Sequence, residues 1–356
     1  MNEALSFEPD WVSPPGETIA DILEERKMSI EEFAERLQVP SDAVGKLIAG
    51  RTPITLKIAR DLEGALGGST TFWMSRDFRF RQNASRLLKE EGDWLQELPV
   101  RDMCRWGWIP ERSRPEEDLS ACLSFFGVRS VGAWRVQYEQ VCDSVAFKTS
   151  RSLDSKPEAV AAWLRKGEIQ ARQAEAGAWS ETGFRAALGD VRALTTKKDP
   201  SHFLPALKRL CAAHGVAVEV VRAPAGCRAS GATRFLSDRK AMLLLSYRHR
   251  TFDHFWFSFF HEAGHLLLHD RSLIFLDGLD AQDKQLESEA DQFAEDFLLP
   301  GDAHDELCEV PKNAMSIIRF AKDLGVSPGI VVGQMEHRGL VRHGRFARLK
   351  RKFDLD

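Results

Sequence analysis

The 356-residue chain lacks the features that mark secreted, disulfide-linked and membrane proteins. Its six cysteines are dispersed and form no Cys-x-x-Cys pair, which favours reduced, mostly buried thiols over a disulfide framework or a cysteine zinc site. No uninterrupted apolar run reaches the roughly 18–20 residues that a membrane span needs. The acidic, polar beginning does not resemble a signal peptide. These absences predict a cytoplasmic protein with no membrane partner.

The chain also has no large excess of positive or negative charge. The chain has 49 Lys and Arg against 53 Asp and Glu, a formal net charge of −4. Because no overall positive field would attract nucleic acid, any DNA binding must be local. The sequence has no internal repeat, and its length predicts two or three domains.

Residues from about 14 to 90 have the pattern of a compact module of five helices. Ser29 is followed three residues later by Glu32, the signature of a capping box at the start of the second helix. Ser41 and Thr55 are the predicted N-caps of the third and fourth helices. A fifth helix is predicted in STTFWMSRDFRFRQNASRLL.

The rest of the chain predicts more helices and a short sheet. Residues 91–200 are helix-rich, with loops predicted at 110–118 and 195–201. Residues 215–223 and 240–248 are apolar runs of strand length, and the glycine-rich segment between them is predicted to be a turn region. The predicted fold class is therefore α+β and predominantly helical.

The stretch FWFSFFHEAGHLLLHD contains two histidines, His261 and His265, spaced four residues apart. Helical geometry places both imidazoles on one face, within reach of one metal ion. Glu262 lies beside the first histidine, where its carboxylate can accept a proton from water. The surrounding residues are apolar, so these groups would be costly to bury without a metal. The alternative is a salt-bridged helix pair without metal.

A third ligand is predicted in the stretch ESEADQFAEDFLLP. Glu287 and Asp291 lie four residues apart on one helical face, whereas Glu289 lies on another. We predict Glu287 as the third ligand and Asp291 as a hydrogen-bond partner of a ligand imidazole. The sequence leaves three roles open for His269, namely a hydrogen-bond partner of a ligand, a fourth ligand or a structural histidine. The candidates for stabilising an oxyanion are His269, His254, Tyr247 and Arg248.

Together the two stretches resemble the ImmA/IrrE-type metallopeptidases, in which HExxH is followed by ExxA[ND]xFAxxLLxP. The resemblance covers roughly residues 200–340. It implies a zincin-like domain with Zn²⁺ held by His261, His265 and Glu287 and with Glu262 as the general base. Characterised relatives are cytosolic bacterial proteins that cleave a helix-turn-helix repressor.

The first 90 residues contain the stretches PPGETIADILEE, SIEEFAERLQVP, VGKLIAGRTPIT and TTFWMSRDFRFR. In these stretches they are similar to the HigA-like antitoxins, which are Xre/Cro-type helix-turn-helix proteins. The resemblance implies DNA contact through residues 29–53, with Ser41, Lys46 and Arg51 as the candidate contacts. Little other base-reading chemistry is present, and the module has 12 Lys and Arg against 15 Asp and Glu. The rival interpretation is that the module now binds a protein, either its own copy in a homodimer or the repressor substrate.

The predicted organisation is a helix-turn-helix module, a helical connecting region, a metallopeptidase domain and a basic tail, at 1–90, 91–200, 201–340 and 341–356. The favoured function is a zinc endopeptidase that cleaves a helix-turn-helix repressor in a stress-response, mobile-element or toxin–antitoxin setting. One alternative is a DNA-binding antitoxin or transcriptional regulator whose zinc domain is structural or sensing. Another is a binding protein that neutralises a toxin.

Overall fold

The computed structural model describes residues 12–111, 115–139, 141–142, 155–246, 251–276 and 284–352. These residues are mainly helical and include one four-stranded sheet, which confirms the predicted α+β class. They divide into two compact units. One takes in the described residues up to Gln96 together with Val128–Arg135, and the other takes in Glu97–Gly127 and the described residues from Val136 onward. The domain boundaries at 90, 200 and 340 stay predictions.

The first unit begins with the five predicted helices. Their apolar faces bury a common core that includes Phe33, Val44, Leu62 and Trp73. The helices are α1 Pro15–Glu25, α2 Ile30–Leu37, α3 Ser41–Ile48, α4 Leu56–Leu66 and α5 Thr70–Glu97.

The helix starts of this unit follow local sequence signals, with one exception. The capping box between Ser29 and Glu32 is present, and the Thr55 hydroxyl accepts a hydrogen bond from the Ile58 amide. The predicted N-cap role of Ser41 is wrong, because α3 begins at Ser41 itself and Pro40 occupies the cap position. The backbone of Pro40 is extended, as an N-cap requires. Its carbonyl accepts the first hydrogen bonds of the helix, from the Ala43 and Val44 amides.

Between α5 and the sheet, the described residues include six further helices. They are α6 Val100–Arg105, α7 Pro115–Phe126, α8 Val131–Gln137, α9 Pro157–Gln173, α10 Glu181–Leu194 and α11 Pro200–Ala212. The loops predicted at 110–118 and 195–201 are shorter than expected, because α7 and α11 begin inside them. Both helices start on proline, whose fixed φ and missing N–H suit the first helical position.

The sheet consists of β1 Val216–Val220, β2 Gly231–Ser237, β3 Lys240–Leu245 and β4 Phe275–Leu276, in the order β1-β3-β2-β4. β1 runs parallel to β3, while β2 is antiparallel to both β3 and β4. The strands predicted at 215–223 and 240–248 are therefore present. The turn region predicted between them is partly wrong, because it contains β2. Its glycine-rich composition hides a strand whose first residue, Gly231, has a packing reason to lack a side chain.

The C-terminal helices share one hydrophobic core with the sheet. They are α12 Phe252–Leu268, α13 Lys284–Leu298, α14 Ala303–Glu309, α15 Ala314–Leu324 and α16 Pro328–His337, followed by a short 3₁₀ turn at Ala347–Leu349. The helix α12 packs against β2, β3, α13 and α16, which explains why it is apolar on nearly every face. Among the residues that the structure describes, none of the helices combines the length and apolar character that crossing a bilayer requires.

Candidate metal centre

The predicted metal ligands lie where α12 and α13 pack against each other. A Cβ atom at Gly264 would lie 3.3 Å from the Ala290 Cα and 3.1 Å from the Phe293 Cδ1. Glycine on one helix and alanine on the other therefore allow the two backbones to come together. Glu287, one turn before Ala290 on α13, is thereby brought beside the histidines of α12.

Three side chains converge on one point. The Nε2 atoms of His261 and His265 are 2.9 Å apart. The carboxylate of Glu287 lies 3.4 Å from Nε2 of His261 and 3.7 Å from Nε2 of His265. Both histidines are buried, whereas the Glu287 side chain is about one-quarter exposed, at 24 %. In the described part of the chain, these three residues form the one group whose ligand atoms are close enough to share a metal ion.

The outer nitrogen of each ligand histidine is occupied by a hydrogen bond. Nδ1 of His261 lies 2.8 Å from Oδ1 of Asp291, and an ionised carboxylate can only accept, so this nitrogen carries the proton. Nδ1 of His265 lies 2.9 Å from Nδ1 of His269, whose own Nε2 lies 3.3 Å from Glu289. A neutral His269 that donates to Glu289 must accept from His265. Both Nε2 atoms are thus unprotonated, and they face each other.

This arrangement fits a zinc ion. Ligand atoms on one tetrahedral zinc lie about 3.3 Å apart, given zinc–nitrogen and zinc–oxygen bonds of about 2.0–2.2 Å. The three observed separations of 2.9, 3.4 and 3.7 Å bracket that value. Glu287 Oε1 is buried without a hydrogen-bond partner, and a cation bound between this carboxylate and the two Nε2 atoms would satisfy it.

The protonation state of His265 also suits metal binding. Burial, followed by the neighbouring His261 and His269, lowers the pKa of His265 to about 2. The imidazole is consequently neutral at physiological pH, as a metal ligand must be. Its ring also stacks on Phe275 of β4 at a centroid distance of 4.2 Å, which fixes the ring plane.

Glu262 is fully buried on α12, between the ligand helix and the sheet. Its side chain lies directly against Gly231, the first residue of β2. A Cβ atom at Gly231 would come within 2.6 and 2.7 Å of Glu262 Cγ and Cδ. The position of this carboxylate thus depends on the absence of a side chain at Gly231.

We expect Gly231→Ala to displace the Glu262 carboxylate while leaving the zinc ligands in place. A displacement of about 1 Å in a reacting group costs on the order of 100-fold in rate, so cleavage of a protein substrate should fall by about that factor. Zinc content, measured on the same preparation, should stay at the wild-type level. The matched control is Gly189→Ala on α10, where an added Cβ meets nothing within 4 Å. Equal activity of the two variants would contradict this role of Gly231.

The remaining predicted residues of this region have different placements. Asp291 and His269 lie behind the two ligand imidazoles, at the distances given above. His254 is about half-exposed, two helical turns before His261. Tyr247 and Arg248 lie outside the described residues. The contact of Glu289 with His269 was not predicted from the sequence. Glu289 lies on a different face of its helix from Glu287, and His269 follows the last residue of α12.

A cavity of about 360 Å³ adjoins the centre along α12. Asp291 and Phe257 line it, and the Phe257 ring lies 6.3 Å from that of His261. The lining also includes Asp253, Glu336 and Lys350, all of which are largely buried.

The predicted DNA-contacting residues lie on or just after α3. Ser41 and Arg51 are exposed. Lys46 is also exposed, but its ammonium group lies 2.7 Å from Asp42, one turn earlier on the same helix. This ion pair neutralises a positive charge that the surface of α3 could otherwise offer to a phosphate.

Comparison with known proteins agrees with both halves of this description. Residues 213–335 match the family model described as the IrrE N-terminal-like domain, which is a peptidase family, and residues 19–73 match a helix-turn-helix family model. The chain therefore carries a helix-turn-helix domain and an IrrE-like peptidase domain, as the sequence predicts. It is also 29% identical over 77 residues to the "Uncharacterized HTH-type transcriptional regulator YddM" of Escherichia coli (strain K12), a match that covers 22% of this chain and 77% of that protein.

Proposed function

We propose that the chain is a zinc-dependent endopeptidase that cleaves a protein regulator, and that this regulator is a helix-turn-helix transcriptional repressor. One observation carries the enzymatic part. Two imidazole nitrogens and a carboxylate converge closely enough to share one metal ion, next to a buried glutamate that is not one of the three. That is the set of groups from which a zinc peptidase centre is built.

The residues around the centre divide the chemical work. When bound, zinc supplies a Lewis acid that polarises the scissile carbonyl and makes water more acidic. Glu262 accepts the proton of the attacking water and delivers it to the departing amine nitrogen. Asp291 and the pair formed by His269 and Glu289 hold the ligand imidazoles in the required tautomer.

The proposed substrate follows from the two domains that the chain joins. The presence of a helix-turn-helix domain and a peptidase-family domain in one polypeptide supports a role for proteolysis in regulation. The helix-turn-helix domain can recruit the peptidase to a repressor, either through DNA or through direct protein contact. We assign the chain to a stress-response, mobile-element or toxin–antitoxin system on the same basis.

Zinc analysis tests the metal centre. Wild-type protein purified without chelator and dialysed against metal-free buffer should retain one zinc ion per chain. Glu287→Gln removes one of three protein ligands, and because loss of a group behind the ligands alone costs about 10–100-fold in affinity, loss of a ligand should cost about 100-fold or more. The matched control is Glu309→Gln, an exposed glutamate at the end of α14. A metal-free wild type, or full zinc content in Glu287→Gln, would refute the centre.

A second candidate function is that of a DNA-binding antitoxin or transcriptional regulator, in which the zinc domain is structural or sensing. The helix-turn-helix match and the regulator relative favour it. In a gel-shift assay with the intergenic DNA upstream of its own gene, specific binding should weaken in Arg51→Ala and persist in Arg60→Ala, which alters an exposed arginine on α4. Loss of one phosphate contact should also lower the salt slope by about one. No binding at low salt would remove this candidate.

A further inference from the structure

A second, smaller cavity lies in the peptidase-bearing unit, away from the metal ligands. It has a volume of about 160 Å³ and forms where the segment after α10, the start of α12, the start of α16 and the C-terminal segment meet. The lining residues that matter for its chemistry are Thr195, Lys197, Lys198, Phe252, Ser327 and Arg351.

The charge of this cavity is entirely positive. Lys197, Lys198 and Arg351 line it, and none of the described residues of the lining is acidic. The next residue in sequence, Asp199, is used elsewhere, since its carboxylate accepts a hydrogen bond from the Ser201 amide at the start of α11. The three cations therefore have no counter-charge within the cavity lining, which favours an anionic occupant.

The helix α16 begins at the same cavity. Ser327 is its N-cap, but the serine side chain makes no capping hydrogen bond to the helix. The first amide groups of a helix and its dipole present positive partial charge, which attracts anions. The Ser327 hydroxyl is buried and has no hydrogen-bond partner.

An independent observation comes from Thr195. Thr195 is completely buried, at 0 % exposure, and lines the cavity, yet its hydroxyl has no hydrogen-bond partner. Buried hydroxyl groups in proteins are almost always hydrogen-bonded. Two unpartnered hydroxyls in the lining of one small cationic cavity indicate that an acceptor belongs there.

We propose that this cavity binds a phosphate-type oxyanion, either inorganic phosphate or the phosphate group of a small phosphomonoester. A tetrahedral oxyanion offers several acceptor oxygens, which match two hydroxyl donors, a helix N-terminus and three cationic side chains. The site is independent of the metal centre. The Phe252 amide, at the start of α12, donates to the Arg351 carbonyl at 3.0 Å, so a bound anion would fasten the C-terminal segment to the helix that carries His261.

The test compares phosphate with chloride at equal ionic strength on full-length, zinc-loaded protein. Equilibrium dialysis with radiolabelled phosphate should show one site per chain, and the thermal unfolding midpoint should rise with phosphate. Thr195→Val keeps the shape of the side chain but removes the hydroxyl. In chloride it should be at least as stable as the wild type, because an unpaired buried hydroxyl is gone, while its phosphate affinity should fall about tenfold or more.

A charge variant provides a second measurement should Thr195→Val fold poorly. Lys197→Gln with Lys198→Gln should abolish the phosphate-dependent rise in midpoint. The matched control, Arg342→Gln with Arg348→Gln, removes two exposed cations of the C-terminal segment that do not line the cavity, and it should bind phosphate as the wild type does. Phosphate binding that survives both cavity variants, as binding at the zinc would, overturns the proposal. Competition by AMP would assign the site to phosphomonoesters as well as to the free ion.

Discussion

Glu262→Gln is expected to abolish peptide cleavage while leaving zinc bound. The glutamine has the size of the glutamate and fits the same buried position against Gly231, but it cannot accept a proton from water. General acid–base catalysis contributes about 10²–10⁴-fold, so the rate should fall by at least about 100-fold. The measurement is the rate of cleavage of co-encoded helix-turn-helix repressors by zinc-loaded protein.

Two control measurements are needed to interpret the activity of Glu262→Gln. The zinc content of the variant must equal that of the wild type, because Glu262 is not among the three converging ligands. Its thermal stability must not fall, so that lost activity is not lost folding. A variant that cleaves at the wild-type rate would refute the role of Glu262 and, with it, the proposed mechanism.

Lys350→Met is expected to destabilise the peptidase-bearing unit by about 3 kcal/mol. The Lys350 ammonium group lies 2.7 Å from Asp253 on α12 and 2.8 Å from Glu336 on α16. Both carboxylates are nearly buried, so removing the lysine leaves two buried negative charges without the cation that they share. Urea unfolding measures the effect, with Lys352→Met as the control, because Lys352 is an exposed lysine of the same segment. Equal stability of the two variants would contradict this account.

The loss of stability caused by Lys350→Met is expected to depend on pH. Burial alone would raise the pKa of Glu336, but hydrogen bonds from Lys350 and from the Gly344 amide hold it below its ordinary value. Burial alone would lower the pKa of Lys350, but its hydrogen bonds to Asp253 and Glu336 outweigh this effect and raise the pKa above its ordinary value. The glutamate contribution is lost as pH falls through its folded-state pKa, and the lysine contribution is lost as pH rises through its own. The stability difference between variant and wild type should therefore be greatest between about pH 5 and pH 10 and shrink outside that range.

The most local features were the most predictable from sequence. The capping box at Ser29 and the cap at Thr55 each depend on residues at most three positions apart, and both are present. Ser41 shows the limit of this reasoning, since Pro40 can start the helix equally well and does so. The strand β2 was missed because its glycine signals a turn in sequence, whereas in the fold the glycine makes room for Glu262.

Sequence by itself determined which groups can meet. The four-residue spacing of His261 and His265, and the small residues Gly264 and Ala290, follow from the helical period and from the distance at which two helices can pack. Only the tertiary structure decided what those groups do to one another. The tautomers at His261 and His265 depend on Asp291 and on the link through His269 to Glu289, and the cationic cavity joins segments more than a hundred residues apart. The link through His269 to Glu289 and the cavity carry no sequence signal, because hydrogen bonds and burial depend on distance in space, and chain separation does not set that distance.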